Sequence, residues 1–287
     1  MRGKPNTASQ PGSEGAKSIS AASICPPARR RFAKFADVNS VHWLHRWVKK
    51  GLTCVGAACP LCLLLKLNSV FDYLWVGHWM KSRGFQVPRR FDSRDKVFEI
   101  AAQEIGEREV LYLEFGVFRG ESMRVWSRLL RNPLSKLHGF DSFEGLPEGW
   151  DLSIKKGTFG EVKGAVPVID DSRVTFFKGW FTETLPQYVL PSHEKLLVNL
   201  DADVYSSTKT VLDFLKPHIS GGAYLYFDNF HAAEHESKAF DEFLSETGLT
   251  FRVVAATQGL RHVLFQCTSP QQKPNFRLDD PPLPKAA

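Results

Sequence analysis

The sequence predicts an α/β protein built on a doubly wound, mostly parallel sheet. Three observations predict it. Short apolar runs rich in strand formers alternate with helical patterns from about residue 92 to residue 247. One of these runs, 110–115, passes through Gly116 and Gly120 straight into a helical pattern of Met123, Val125, Trp126, Leu129 and Leu130. An acid or a glycine closes each strand in turn: Glu114 and Gly116, Asp141, Gly179, Asp201, then Asp228 with Asn229. In such a sheet the ligand lies beyond the carboxyl ends of the strands, where the strand order reverses.

The chain has 287 residues, 43% of them hydrophobic, which is ample for a packed core. Its formal charge is +6, and much of the basic excess sits early, at Arg29, Arg30, Arg31, Lys34, Arg46, Lys49 and Lys50. That distribution predicts a local basic surface rather than a nucleic-acid-binding catalytic domain, and no nucleic-acid partner is expected. Five clustered cysteines do not form a disulfide framework, so a reducing, cytoplasmic compartment is expected.

Residues 1–37 are rich in Ser, Ala, Gly, Pro and Arg without periodicity and read as a disordered basic tail. Residues 38–85 read as a helical extension. Val41, Leu44, Trp47 and Val48 share one helix face there, with Arg46, Lys49 and Lys50 elsewhere. The uncharged run 51–65 is shorter than the ~20 residues a spanning helix needs, and Pro60 interrupts it. It is expected as a buried or subunit-contact helix, with Cys54, Cys59 and Cys62 as small core residues. The sharper reading is a peripheral membrane contact aided by Trp43, Trp47, Trp75 and Trp79. A homo-oligomer is expected.

The regular domain is expected over 86–270. Asp92 or Ser93 caps a helix carrying Val97, Phe98, Ile100, Ala101 and Ile105 and ended by Gly106. Strands follow at 110–115, 137–142, 174–178, 195–201 and 223–229, with helices at 206–218 and 234–246. Residues 251–256 and 262–267 read as an antiparallel pair turning at Gln258 and Gly259. The glycine-rich stretch 143–164 reads as a lid over the ligand. Residues 271–287, with four prolines, read as a flexible tail.

The chemistry sits at the strand ends. Glu114 at the end of its strand would repel a pyrophosphate but suits a ligand carrying an ammonium or sulfonium group. The glycine spacing after it is not the G-x-G-x-x-G of dinucleotide binders, which argues against a nicotinamide oxidoreductase. Asp141 ends the next strand, where an acid typically takes the ribose hydroxyls of a nucleoside ligand. Asp201, Asp228 and Asn229 offer two carboxylates and an amide from neighbouring strand ends, a donor set for a hard ion such as Mg²⁺. Such an ion lowers the pKa of a bound substrate hydroxyl. Asp201 and His231 are the candidate proton acceptors.

These residues stand in four motifs: Glu114-Phe-Gly-Val-Phe-x-Gly120, Gly139-Phe-Asp-Ser-Phe-Glu-Gly-Leu-Pro147, Gly179-Trp-Phe-x-x-Thr-Leu-Pro186, and Asp201-x-Asp-x-Tyr-x-Ser-Thr208 with Gly221-Gly222 and Asp228. Their combination resembles the macrocin O-methyltransferase family over about residues 86–267. Those are class I S-adenosylmethionine-dependent enzymes that methylate hydroxyls of natural products. The resemblance implies a Rossmann-like, seven-stranded sheet with helices on both faces. It implies S-adenosylmethionine held by Glu114, Gly116, Val117, Gly120, Ser122, Asp141 and Ser142, with adenine near Gly179, Trp180 and Phe181. It further implies a Mg²⁺ site using Asp201 and Asp228 with residue 229, where this chain has Asn in place of the family's usual second aspartate. The expected activity is methyl transfer to a sugar or phenolic hydroxyl. A non-catalytic binding or membrane-associated scaffold retaining the methyltransferase fold is the alternative; it would be expected to lose Glu114, Asp141 or Asp201, and all three are present.

Overall fold

The computed structural model describes residues 38–269. The tails expected at 1–37 and 271–287 lie outside the described residues. The chain divides into two compact units at Cys59/Pro60.

In the first unit, α1 spans Val38–Ala58. Its described side chains pack against little: Trp47, Leu52 and Val55 are 55%, 66% and 66% exposed. Cys54, read from the sequence as a core residue, is exposed as well.

The second unit opens with α2, Leu61–Ser82, which starts at once after Pro60 because Pro fits ahead of a first helical turn. Its two ends behave differently. Val76, Trp79 and Met80 are buried in the main core. Trp79 stacks against Phe85 and meets Phe230 edge-on, while its indole N–H donates to Asp241 Oδ1 at 2.5 Å. Trp79 therefore belongs to the core, in contrast to the surface role read from its sequence neighbourhood. The opposite face of the first half, with Leu63, Leu64, Leu67, Val70, Phe71 and Leu74, is exposed, as is Cys62.

The sheet follows the expected alternation. Its strands are β1 (Arg90–Phe91), β2 (Val110–Phe115), β3 (Lys136–Asp141), β4 (Val174–Lys178), β5 (Lys195–Leu200), β6 (Tyr224–Phe227), β7 (Phe251–Thr257) and β8 (Val263–Cys267). Between them run α3 (Arg94–Ile105), α4 (Glu121–Leu129), the short α5 (Phe181–Thr184), α6 (Tyr205–Leu215) and α7 (Glu236–Thr247). The order is β1-β7-β8-β6-β5-β2-β3-β4, and only β8 runs antiparallel to its neighbours. The sheet has eight strands where seven are expected. The extra strand is two residues long and carries no period-2 signal. Backbone bonds alone create it, Ala256 N–H to Arg89 O and Gln258 N–H to Phe91 O.

β2 is buried at every residue because it sits at the centre, and its two faces define two cores. Leu111, Leu113 and Phe115 face the core shared with α6, α7 and the end of α2. Val110 and Tyr112 face the core shared with α3 and α4. The chain winds from β2 outward to β4, then crosses back to β5 on the other side of β2. The switch in strand order therefore falls between Phe115 and Leu200, which pair in register.

Candidate functional site

The residues just past the strands are locked into one row by bonds that extend the sheet ladder. Gly116 N–H donates to Phe140 O, Asp201 N–H to Phe115 O, Asp228 N–H to Leu200 O and Gly179 N–H to Asp141 O, all at 2.9–3.0 Å. The ends of β6, β5, β2 and β4 thus each place their next residue by a bond to the neighbouring strand. Gly116 needs to be glycine twice over. Its φ is +92°, and a Cβ there would fall 1.9 Å from the Asp201 carbonyl oxygen.

Above this row lies a cavity of about 460 Å³, a size suited to a cofactor or small ligand. Gly116, Asp141, Ser142, Gly179, Trp180 and Phe181 line it on the β2–β4 side. Asp201, Asp228 and Asn229 line it on the β5–β6 side. The stretch 143–164 supplies a wall through Phe143, Leu146, Pro147 and Phe159. That stretch is fastened at two points. Ser206 Oγ donates to Glu148 Oε1 at 2.6 Å, and His235 Nε2 lies 3.0 Å from the Trp150 carbonyl.

Other sequence-predicted residues lie off the cavity surface. Asp141 explains where Val117 goes: its Oδ2 accepts the Val117 and Phe118 amides at 2.8 Å, while Oδ1 accepts the Phe143 amide at 2.7 Å. The carboxylate ties the glycine turn to the start of the stretch 143–164 and keeps acceptor capacity toward the cavity. Gly120, in left-handed conformation, and Ser122 form the buried start of α4. Glu114 is buried between strands, accepting the Tyr112 hydroxyl at 2.6 Å, and Asn199 donates to that hydroxyl in turn. Burial pushes the Glu114 carboxyl up to about 8. His231 stacks on Tyr73 at 5.1 Å, and burial lowers its imidazole to about 4.

The β5–β6 side is crowded with carboxylates. Burial raises the Asp201 pKa, and the neighbouring Asp228 and Asp203 raise it further. Among the described residues, no side chain donates a hydrogen bond to the Asp201 carboxylate. Asp203, at a φ of +58°, accepts from Asn229 Nδ2 at 2.8 Å and lines the cavity. Burial opposes the charge on Asp228, but hydrogen bonds from His262 and Tyr226 and the nearby Arg94 outweigh it and hold its pKa down. Asp201, Asp228 and Asn229 bring two carboxylates and an amide oxygen to one cavity, donor types that a hard divalent cation takes, although no group of three His, Cys, Asp or Glu side chains placed to hold a metal ion occurs among the described residues. Asn229 Oδ1 is at present bonded to Arg261 Nε at 3.2 Å.

Sequence reasoning missed Arg94, Arg261 and His262. Arg94 carried a signal. It is the first residue of α3, where a cation opposes the helix dipole, and the cost is offset by Asp228 at 3.6 Å. Arg261 lies in a hairpin turn and His262 beside a strand, where nothing in the local pattern marks them.

A doubly wound sheet whose cavity sits on the strand ends at the switch point is a nucleotide-type binding fold. The sequence model of the family described as Macrocin-O-methyltransferase (TylF) matches residues 89–257, more than half of the chain. The chain belongs to that family, and its sheet is the Rossmann-like class I methyltransferase fold with one edge strand added. It is similar to the 8-demethyl-8-(2,3-dimethoxy-alpha-L-rhamnosyl)-tetracenomycin-C 4'-O-methyltransferase of Streptomyces olivaceus, at 33% identity over 137 residues, covering 41% of this chain and 52% of that protein. It is also similar to the demethyldecarbamoylnovobiocin O-methyltransferase of Streptomyces niveus, at 34% identity over 73 residues, covering 25% and 27% respectively. The chain thus spans about half or less of the length of these curated relatives. Among solved structures it resembles the O-methyltransferase NovP, with a TM-score of 0.49 and 24% identity over 61% of this chain and 79% of that one.

Proposed function

We propose that this chain is an S-adenosylmethionine-dependent O-methyltransferase acting on a hydroxyl of a sugar or other natural-product acceptor. The observation that carries the reading is the row of strand-end residues under one cavity, with a nucleoside-type half at Gly116, Asp141 and Trp180 and an acidic half at Asp201, Asp203 and Asp228. The family membership and the two curated relatives, each named as an O-methyltransferase, support the same reading.

In this reading the Asp141 side takes the ribose and the faces of Trp180 and Phe181 take the adenine. Bound there, S-adenosylmethionine would supply a sulfonium methyl group to an acceptor hydroxyl on the acidic half, the sulfur–carbon bond breaking as the oxygen–carbon bond forms. A cavity-facing carboxylate would take the hydroxyl proton. Asp201 and Asp203 are the carboxylates that face the cavity, whereas His231 lies off it against Tyr73. Holding donor and acceptor in line supplies much of the rate. The apolar wall of Phe143, Leu146 and Phe159 keeps water out. Asp201, Asp228 and Asn229 would hold Mg²⁺ once Asn229 turns away from Arg261. The bound ion would lower the pKa of the acceptor hydroxyl.

Calorimetric titration of the purified chain with S-adenosylmethionine tests the reading, with and without Mg²⁺. Micromolar binding, worth about 8 kcal/mol, is expected. Trp180→Ala should weaken it roughly tenfold by removing aromatic contact, with the melting temperature unchanged. A separate Mg²⁺ titration should give binding that Asp201→Asn removes. Failure of the wild-type protein to bind S-adenosylmethionine under either condition overturns the proposal.

A further inference from the structure

α1 poses a problem of burial. Trp43, Trp47, Val48, Leu52 and Val55 are each at least half exposed. A helix with this much apolar surface buries it against something. Charge identifies the occupant. Arg46, Lys49 and Lys50 are all exposed on the same helix, and it contains no acidic residue. The Lys50 ammonium lies 5.4 Å from the centre of the Trp47 ring, at the border between the basic and apolar arcs. The sequence extends the pattern. Residues 1–71 carry eleven Lys and Arg against two acids, Glu14 and Asp37, so the rest of the chain is slightly acidic. The positive excess of the whole chain therefore lies in the part of the sequence that contains this helix.

An anionic lipid surface takes both features at once. Its acyl boundary accepts the Trp, Leu and Val side chains, and its headgroups neutralise the cations. Pairing of α1 with its counterpart in a second copy would bring the same excess of cations with no acids on that helix to match them. We propose that α1 is a membrane-docking helix lying in the plane of an anionic bilayer surface. It lies on the bilayer rather than through it, since no helix among the described residues is long and apolar enough to cross a membrane. The basic stretch Arg29 to Lys34 adds the second signal that stable peripheral binding requires. Docking is independent of the methyl-transfer reading, so each can fail alone.

The test is co-flotation of the full-length protein with large unilamellar vesicles. Binding is expected to phosphatidylcholine–phosphatidylserine vesicles, at least about tenfold weaker to phosphatidylcholine alone, and weaker as salt rises. Arg46→Gln/Lys49→Gln/Lys50→Gln should lower partitioning roughly a hundredfold, each cation being worth about fivefold near the surface. Trp47→Ser/Leu52→Ser should abolish binding even at low salt. Circular dichroism and S-adenosylmethionine titration, unchanged in both variants, exclude unfolding. No flotation of the wild type at low salt overturns the proposal, as does unaltered binding of the triple-glutamine variant. Light scattering that shows a dimer broken by Trp47→Ser/Leu52→Ser, without vesicle binding, assigns the face to a second copy and overturns it too.

Discussion

Glu114 shows how one residue changes meaning between sequence and structure. Its place near the end of an apolar run marks a ligand site, and the run does end at the cavity. Its side chain, however, turns into the protein, where it is 1% exposed and bonded to the Tyr112 hydroxyl. Burial raises its pKa from 4.5 to about 8. Across that window the folded state holds a proton that the unfolded state has released, so this group's contribution to stability falls as pH rises. Glu114→Gln removes the titration. It should flatten the dependence of melting temperature on pH between about 5 and 8 and exceed wild-type stability near pH 8 by at least about 1 kcal/mol. Urea melts of both proteins across that range give the comparison. A steeper profile in the variant would show that the buried carboxyl is ionised after all.

Among the elements, α4 depends on a clasp outside the cavity. Arg173, at the entry to β4, donates to the carbonyls of Ser127, Leu130 and Asn132, and its other donors pair with Asp171. One guanidinium thus satisfies the carboxyl end of the helix that starts at the glycine turn. The Arg173 pair, with Ser127, holds the Asp171 carboxyl well below the usual range. Arg173→Met leaves a half-buried carboxylate and several carbonyls unpaired, and should cost about 3 kcal/mol in denaturant unfolding. Strands were the legible elements, because apolar composition marks β2 through β8 and acids stand at or just past the ends of β2, β3, β5 and β6. β1 was not legible, since it exists only through pairing with β7. The C-terminal half of α2 was not legible either: Trp75 and Trp79 look like an interface in sequence, and only the three-dimensional proximity of Phe230 and Phe240 makes Trp79 a core residue. The candidate site follows the same division. The strand-end acids could be read locally, whereas Arg94, Arg261 and His262 reach them from distant segments.

At the scale of the molecule, the division at Cys59/Pro60 separates α1 from the sheet. The second unit contains the sheet and both cores, and the first contains α1. A chain beginning at Pro60 should fold and bind S-adenosylmethionine within about threefold of the full-length affinity. It should also lose binding to anionic vesicles, since the deletion turns the net charge negative. Melting curves, cofactor titration and vesicle flotation on the shortened chain check both halves. A shortened chain that fails to fold would show that residues 1–59 stabilise the sheet.

The antiparallel strand sets an order of events during synthesis. β8 lies between β6 and β7 in the sheet, although it is made after both. β7 therefore has no partner on the β6 side until the ribosome has released Val263–Cys267, and β1 in turn waits for β7. The five strands from β4 to β6 can assemble earlier, leaving one edge open for the closing hairpin. That hairpin carries Arg261 to the cavity, and the Arg261 carbonyl accepts the Phe230 amide that fixes the segment after β6. Among the described strands, the last to emerge thus completes the lining of the cavity.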